Sequence, residues 1–430
     1  MVSAIMDGKK MLKVRNVSIW LVCCLVFLAF FVPRNLSVIK LGIIVVAILL
    51  YFSQKSIQVR TKLFHLTSTK FLCLYMMYSL WSTGHGFLRG NPEVYQLFRL
   101  NVIYFLMLFV WIQIVENRKG FVAVLKACCV SSIGIAAYTL LFFAQTVQII
   151  NLPFFLYLDH SSGAMIHSGY VHITNMNMSM MLFLFPVILF IYGTNEIKMD
   201  ESLVRLNKVA IAISVVAMML SGRRIVWIVL FGSLACYVLF KTEKTTSKRI
   251  WKIVIAFVGT GLTFILLSKI VGINIEGFVD RFREAFRDRD NYGRVNVRWT
   301  QLEALWKGFL RNPIFGSGAG IGVQEVVRST ENSASYELSY ALILYNAGIV
   351  GFIPYVLSLF IVLRALWKNG KTDGVSKALF WGLAYGLLAN ATNPYFSSSF
   401  DFLLWVFVPL MYLNIIETEH NSLVDDCLYA

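Results

Sequence analysis

Apolar runs separated by short polar segments repeat along almost the whole chain. Twelve can be delimited, at 18–32, 36–52, 71–87, 100–115, 121–145, 174–192, 209–221, 225–240, 251–270, 338–363, 378–391 and 400–416. In the hydrocarbon core of a bilayer, an α-helix of about 20 residues satisfies its own backbone hydrogen bonds while crossing. The pattern therefore predicts an all-α polytopic membrane protein with about 12 transmembrane helices.

Composition agrees with this class. Of the 430 residues, 58% are apolar and 14% are charged, and the mean hydropathy is +0.68. These values exclude an ordinary soluble domain. The net charge of +16 does not by itself indicate nucleic-acid binding, because its meaning depends on where the basic residues lie. The seven cysteines show no metal-ligand spacing and no disulfide framework.

The basic residues predict the orientation of the chain. With the N-terminus inside, the inner segments hold 21 lysines and arginines and the short outer loops hold five. Cytoplasmic loops of membrane proteins are enriched in these residues, so both termini are predicted to be cytoplasmic. Four parts follow: helices 1–9 over 1–270 with an outer loop at 146–173, a large helical periplasmic or extracellular loop at 271–335, helices 10–12 over 336–416, and a cytoplasmic tail at 417–430.

Arginine and lysine are distributed unequally between the two faces. The outer segments carry 13 arginines and one lysine, whereas the inner segments carry 15 lysines and six arginines. The rule for orientation does not distinguish the two residues, but the planar guanidinium matches phosphate oxygens in a bidentate way that an ammonium does not. The outer face is therefore predicted to bind a phosphorylated ligand.

Two adjacent arginines, Arg223 and Arg224, interrupt the apolar stretch 209–240. An arginine at membrane depth costs at least about 2.5–3.5 kcal/mol. Because two spans need about 40 residues and this stretch has 32, the turn is predicted to be drawn below the outer surface into a watered cavity. The alternative is that both side chains extend to the membrane interface.

Four stretches between about residues 170 and 391 share the pattern of a known family: TNMNMSMMLFLFP, LSGRR, RWTQLEALWKGFLRNPIFGSGAG and ELSYALILYNAGIVGF. They resemble the O-antigen ligase / O-antigen polymerase superfamily of bacterial polysaccharide-assembly membrane proteins. By this resemblance Arg224 takes the arginine position of a short turn. Arg298 takes the arginine position of the strongest signature, which consists of an arginine, a helix, Asn-Pro and a Gly-x-Gly turn. Glu337 stands where the family usually has histidine.

The resemblance implies a glycosyltransferase of the GT-C type in the bacterial inner (plasma) membrane, with no metal and no cofactor. It implies an undecaprenyl-pyrophosphate-linked oligosaccharide as donor, membrane lipid and a chain-length regulator protein as partners, and no nucleic acid. Histidine at the position of Glu337 is typical of ligases, so the glutamate favours a polysaccharide polymerase. An O-antigen ligase, and in a different class a transporter or flippase, are the alternatives.

Roles can be assigned on this basis. Arg224 and Arg298 are predicted to be catalytic, clamping the pyrophosphate and stabilising its charge as it leaves. Glu337 is predicted to act as general base on an acceptor hydroxyl; the alternative is a helix N-terminal glutamate favoured by the dipole, after a Ser333 or Ser335 cap. The arginines are expected to have no acidic partner, since the ligand is their counter-ion. Further pyrophosphate- or glycan-binding candidates are Arg223, Arg294, Arg311, His167 and His172; for the histidines an ordinary place in an outer loop is the alternative.

Overall fold

The computed structural model describes residues 2–54, 66–153, 164–167, 170–173, 175–192, 194, 200–241, 259, 297–323, 326 and 336–429. Helices dominate these residues. They are α1 (Val2–Phe31), α2 (Ser37–Gln54), α3 (Thr67–Leu88), α4 (Val94–Phe98), α5 (Phe105–Trp111), α6 (Arg118–Thr146), α7 (Met181–Ile191), α8 (Glu201–Leu220), α9 (Arg224–Lys241), α10 (Val297–Arg311), α11 (Ser339–Asn369), α12 (Gly374–Asn390), α13 (Tyr395–Ser398) and α14 (Leu404–Tyr429).

Eleven of the twelve apolar runs coincide with helices, and the run at 251–270 lies outside the described residues apart from residue 259. A π-helical turn, Arg99–Tyr104, joins α4 to α5, and 3-10 turns precede α7 (Met176–Met180) and α14 (Phe400–Leu403). Six segments among the described residues are long and apolar enough to cross a membrane: Val14–Phe31, Val94–Trp111, Arg118–Thr146, Glu201–Leu220, Ser339–Asn369 and Phe400–Asn421. The prediction of an all-α membrane protein is confirmed at this level, while twelve spans and the orientation stay predictions.

The centre of the molecule is formed by α7 and the first half of α14. Every residue of α7 is buried, and residues 401–415 are buried without interruption. Around them α7 packs against α12 and α9, α6 packs against α1 and α8, and α3 packs along α11. A helix that is apolar on all sides belongs in such a central position, because it offers no polar face to water.

Helix α8 begins earlier than the apolar run at 209–221 predicted. The Asp200 carboxylate accepts a hydrogen bond from the Leu203 N–H (3.0 Å) and lies 2.8 Å from the Lys126 ammonium, so the helix begins at Glu201 rather than near 209. The bond from Lys126 holds the pKa of Asp200 below its usual value. Since α8 alone has 20 residues, the length argument that placed the turn at Arg223 and Arg224 below the outer surface does not hold.

The segment 146–173, which is predicted to be an outer loop, contains a short hairpin that the apolar pattern did not predict. Strand β1 (Ala164–His167) pairs antiparallel with β2 (Tyr170–Ile173), so that His167 faces Tyr170 and His172 faces Met165 in the register. The Ile173 N–H donates to the Ser221 carbonyl at 3.0 Å. The hairpin is therefore attached to the turn between α8 and α9.

A fully buried ion pair joins the beginning and the end of the chain. The Lys40 ammonium lies 2.8 Å from the Asp401 carboxylate, and neither side chain is exposed. Lys40 also donates to the Val32 carbonyl at 2.6 Å, while Asp401 accepts the Arg34 N–H at 2.8 Å and the Ser399 hydroxyl at 2.5 Å. The pair thus fixes the turn between α1 and α2 to the segment that precedes α14.

We expect that replacing only one member of this pair, Lys40→Met or Asp401→Leu, lowers the free energy of unfolding by about 3–5 kcal/mol, because a buried charge loses its partner. The double variant should recover most of that loss. Thermal unfolding of the purified protein in detergent measures both effects. The matched control is Glu303→Gln, which breaks the exposed pair with Lys307 and should cost about 0–1 kcal/mol. Single variants that lose as little free energy of unfolding as this control would contradict the prediction.

Candidate active site

Helix α10 presents an apolar face to α11 and a mixed face to the outside. Its buried side chains recur at helical spacing, with Gln301, Ala304, Leu305 and Phe309 inside and Trp299, Leu302 and Trp306 exposed. Ala304 and Leu305 pack in a cluster with Val323, Tyr336, Leu342 and Tyr345. The helix ends at Arg311, directly before Asn312-Pro313, as predicted. This packing holds α10 beside the beginning of α11.

The packing brings Arg298 and Glu337 into contact. The Arg298 Nε lies 2.6 Å from the Glu337 Oε2, with 37% of the arginine side chain and 21% of the glutamate side chain exposed. The expectation that the arginines have no acidic partner is therefore wrong for Arg298. Its partner is 39 residues away in sequence, beyond any helical spacing from which it could be inferred.

A buried glutamine lies next to this ion pair. Gln301, one helical turn after Arg298, has no exposed surface, and its Oε1 accepts the Glu337 N–H at 2.9 Å. Its Nε2 has no hydrogen-bond partner among the described residues. A buried N–H without a hydrogen-bond acceptor is unfavourable. This amide is therefore a candidate contact for a ligand that supplies an acceptor.

The backbone before α11 is held from two further sides. Tyr336 is fully buried, and its hydroxyl accepts the Val323 N–H (2.8 Å) and donates to the Val326 carbonyl (2.8 Å). The Ser339 hydroxyl donates to the Asn393 carbonyl at 3.1 Å. The residue at the helix N-cap is Leu338, with no side-chain capping bond. Glu337 thus precedes the cap and pairs with Arg298; Ser333 and Ser335, the alternative caps, lie outside the described residues.

The segment 312–322, here called the glycine segment, sets the distance between α10 and α11. It crosses the point where α11 is broken at Gly348, whose φ of 61° is outside the helical range. The N–H groups of Ser317 and Gly318 donate to the carbonyls of Tyr345 (2.9 Å) and Asn346 (2.8 Å). The glycine segment therefore satisfies carbonyl groups at the break.

Helix α3 supports the other side of the glycine segment. The Ala319 N–H donates to the Ser82 carbonyl at 2.8 Å, and the Asn91 amide donates to the carbonyls of Ser317 (3.1 Å) and Ala319 (2.9 Å). Gly318 has a φ of 80°, and a Cβ there would come within 2.7 Å of the Gly86 Cα. A tight turn was predicted for these glycines, and the structure shows in addition a backbone-to-backbone contact with the first half of the chain.

Arg223 forms a second cluster. The preceding Gly222 has a φ of 66°, and the turn from Ser221 to Arg223 connects α8 to α9. The half-buried Arg223 donates from Nη1 to the Ser179 hydroxyl at 3.0 Å and to the Asn175 carbonyl at 3.3 Å. The turn is thereby joined to the 3-10 turn before α7 and, through Ser221, to the β-hairpin.

The same 3-10 turn carries a buried amide without a partner. Asn177 is 4% exposed, and neither its Oδ1 nor its Nδ2 is hydrogen-bonded to any residue in the described part of the chain. It lies two residues from both Asn175 and Ser179, which contact Arg223. Near Arg223 the protein therefore keeps a polar group that can both donate and accept a hydrogen bond.

Comparison with known proteins gives one family match. Residues 209–356 match the model of the O-antigen ligase family. The resemblance to the O-antigen ligase / O-antigen polymerase superfamily is confirmed. No curated protein matches the chain significantly. The matched O-antigen ligase segment includes Arg223, Arg224, α10, the glycine segment and Glu337, whereas the supporting Ser82, Asn91 and Asn177 lie before it.

The remaining predicted residues are placed as follows. Arg224 is half-buried at the first position of α9, and Arg311 is exposed at the last position of α10. His172 is half-buried on β2, and His167 lies on β1. Arg294 lies outside the described residues, as do residues 271–296 of the predicted helical outer loop. Within the described ranges, no three His, Cys, Asp or Glu side chains are grouped so as to hold a metal ion.

Gln301 and Asn177 were not predicted from the sequence. Gln301 is the one amide of the amphipathic α10, whereas Asn177 follows Asn175 in a methionine-rich stretch, and neither residue type signals burial by itself. Only the fold shows that both are buried with unpaired amide atoms. A usable signal existed for Gln301, because it lies on the same apolar stripe as Ala304, Leu305 and Phe309.

We expect Gln301→Met to lower the free energy of unfolding by about 1–3 kcal/mol, because the Glu337 N–H loses its acceptor while the volume of the side chain is nearly kept. The thermal unfolding temperature in detergent measures the effect. Leu302→Met, on the neighbouring exposed face, is the matched control and should change little. Equal effects of the two substitutions would mean that the glutamine does not hold Glu337.

Proposed function

We propose that the protein is a polysaccharide polymerase of the bacterial inner membrane, acting on the outer face and using undecaprenyl-pyrophosphate-linked glycan as donor. The O-antigen ligase family match and the apolar helices support a glycosyltransferase-like ligase or polymerase in a multi-pass membrane protein. The contact between Arg298 and Glu337 is the observation that supports the more specific proposal of a polymerase with a pyrophosphate-linked donor. It joins a phosphate-binding cation and a proton acceptor in one site.

The proposed reaction uses the two side chains in complementary ways. An acceptor hydroxyl oxygen attacks the anomeric carbon of the donor sugar, and the bond from that carbon to the phosphate oxygen breaks. Undecaprenyl pyrophosphate leaves with the electron pair, and the hydroxyl proton passes to the Glu337 carboxylate. Because arginine neutralises the charge that develops on the leaving group, no acid is needed to protonate it.

The ion pair suggests how donor binding and base activation are coupled. In the structure each side chain is the counter-ion of the other, at 2.6 Å. A pyrophosphate carries more negative charge than one carboxylate and accepts bidentate hydrogen bonds from a guanidinium. When Arg298 turns to the pyrophosphate, its hydrogen bond to the Glu337 Oε2 is broken, and this oxygen can then accept the proton of the acceptor hydroxyl. The base would then be released only when a donor is bound.

Arg223 and Arg224 supply the second half of the proposed clamp. Arg223 is positioned by Ser179 and by the Asn175 carbonyl, so its guanidinium has a fixed location rather than that of a freely moving surface side chain. Arg224 begins α9 on the same turn. We place the glycan beyond the pyrophosphate, toward the outer segment that carries His167 and His172. A chain-length regulator protein remains a proposed partner.

A ligase is the second candidate function, because the description of the matched family is O-antigen ligase. The two functions differ in the acceptor: a lipid-linked repeat unit for the polymerase, and another lipid or a protein for the ligase. The polymerase is favoured by Glu337, which stands where the ligases that the sequence resembles have histidine.

The glycan that accumulates on undecaprenyl pyrophosphate in cells lacking this protein distinguishes the two functions. We expect single repeat units, since a missing polymerase stops assembly before chains grow. Lipid extracts resolved by mass spectrometry give the number of repeats, and a plasmid-borne wild-type copy should restore polymer. Accumulation of full-length chains would show a ligase instead.

We expect Glu337→Gln to give a folded protein that binds donor and makes no polymer, because the amide keeps the shape of the side chain but accepts no proton. Glu337→Asp should keep a little activity. Both are tested with purified protein in liposomes that contain lipid-linked repeats. Glu303→Gln, which removes an exposed carboxylate from α10, is the control and should retain wild-type activity. Polymer formation by Glu337→Gln at a near wild-type rate would exclude this base.

A further inference from the structure

A groove lies between α3 and α11 near the ends of these helices that are predicted to be cytoplasmic, far along both helices from Glu337. It encloses about 300 Å³ and is lined by Thr69, Lys70, Cys73, Leu74 and Ile361. Polar groups occur only at the Thr69 and Lys70 end, and the remaining lining is apolar apart from the thiol. A ligand that fits it must be polar at one end and apolar at the other.

The polar end contains an unpaired hydroxyl. Thr69 is 9% exposed, and its Oγ1 has no hydrogen-bond partner among the described residues. The nearby acid is already engaged, because the Glu417 carboxylate accepts the Thr67 N–H at 2.8 Å and the Thr67 hydroxyl at 2.5 Å. Lys70, next to Thr69, is exposed. The polar end of the groove is therefore lined by a buried threonine with an unpaired hydroxyl and by an exposed lysine.

On α3 and α11 the charged residues around the groove are basic, and they outnumber the nearby carboxylate of Glu417. Arg364 and Lys368 follow Ile361 on α11 at spacings of three and seven residues, which places them on the same helix face, and both are exposed. The sequence has no Asp or Glu in 66–80 or in 357–369. Charge complementarity thus selects an anionic head group over a zwitterionic one.

Beyond the groove, the exposed apolar surface of α3 and α11 continues over the length of one membrane leaflet. Exposed apolar side chains continue from Cys73 to Met77 and Leu80 on α3, and Leu357 and Ile353 extend the opposite wall on α11. From Lys70 to Leu80 the helix rises about 15 Å at 1.5 Å per residue. This equals half of the hydrocarbon core of about 30 Å, the depth that one acyl chain spans.

We propose that this groove binds one anionic phospholipid of the cytoplasmic leaflet, with the head-group phosphate at Lys70 and Thr69 and an acyl chain between α3 and α11. These two helices also hold the glycine segment at their other ends, through Ser82 on α3 and Tyr345 and Asn346 on α11. A lipid seated between them therefore braces the two helices on which the candidate active site is built. The proposal does not depend on the reaction the protein catalyses.

Native mass spectrometry of the protein released from nanodiscs of equal phosphatidylglycerol and phosphatidylcholine tests this site. We expect the wild type to retain one phosphatidylglycerol preferentially. The double variant Thr69→Val with Lys70→Gln should lower the retained fraction about tenfold, the effect of losing one charge-assisted hydrogen bond. Lys119→Gln, which removes an exposed charge at the same predicted face on α6, is the matched control and should not change retention.

A second variant separates binding from folding. Leu74→Trp keeps both polar groups and fills the groove, so it should also lose the lipid while the unfolding temperature stays near that of the wild type. Equal retention of the two lipids by the wild type, or an equal loss in Lys119→Gln, would show only a general lipid annulus and overturn the proposal. Displacement of phosphatidylglycerol by undecaprenyl phosphate at far lower concentration would also overturn it.

Discussion

The close approach of the glycine segment to the break in α11 is the constraint on which the candidate active site depends. A Cβ at Gly348 would overlap the Ile314 carbonyl oxygen, and one at Gly318 would press on Gly86 of α3. With hydrogen bonds on both sides, the segment cannot slide along either helix. Because α10 leads directly into it, this contact fixes where Arg298 lies, and α11 in turn fixes Glu337.

The polar groups of the site follow from the same constraint. A break in an apolar helix exposes backbone groups that a membrane environment cannot satisfy, and here the glycine segment satisfies them. The buried side-chain amides of Gln301 and Asn177 differ from these backbone groups, because they keep atoms without hydrogen-bond partners in the described part of the chain. Both clusters of unpaired groups also hold arginines, which is why the proposed function places the phosphorylated glycan there.

Much of the fold could be predicted from the sequence, because apolar runs of sufficient length have one stable conformation in a bilayer. The end of α10 at Asn312-Pro313 and the turns at the glycines were predicted for similarly local reasons. The start of α8 was missed because the capping by Asp200 and its pair with Lys126 extend the helix into a polar stretch. The hairpin at 164–173 was missed because no strong alternation marks it.

Contacts between distant parts of the chain could not be predicted. Arg298 and Glu337 were each singled out, but their ion pair arises from the packing of α10 on α11. Lys40 and Asp401 are 361 residues apart, and a lone lysine in an apolar run gives no indication of its partner. The support of the site by α3 and the residue Asn91 after it is of the same kind, because the Ser82 carbonyl and the Asn91 side-chain amide bind backbone groups of the glycine segment and belong to no motif.

Arg298 and Glu337 are proposed to form a functional site and not only a structural ion pair. The charge-reversed double variant, Arg298→Glu with Glu337→Arg, separates these roles most directly, because it keeps the attraction but exchanges the positions of the base and the phosphate-binding cation. Its unfolding temperature and its polymer yield in liposomes are compared with those of each single variant. We predict that the double variant regains stability and makes no polymer. Recovery of both stability and polymer formation would show that the two residues form only a structural ion pair.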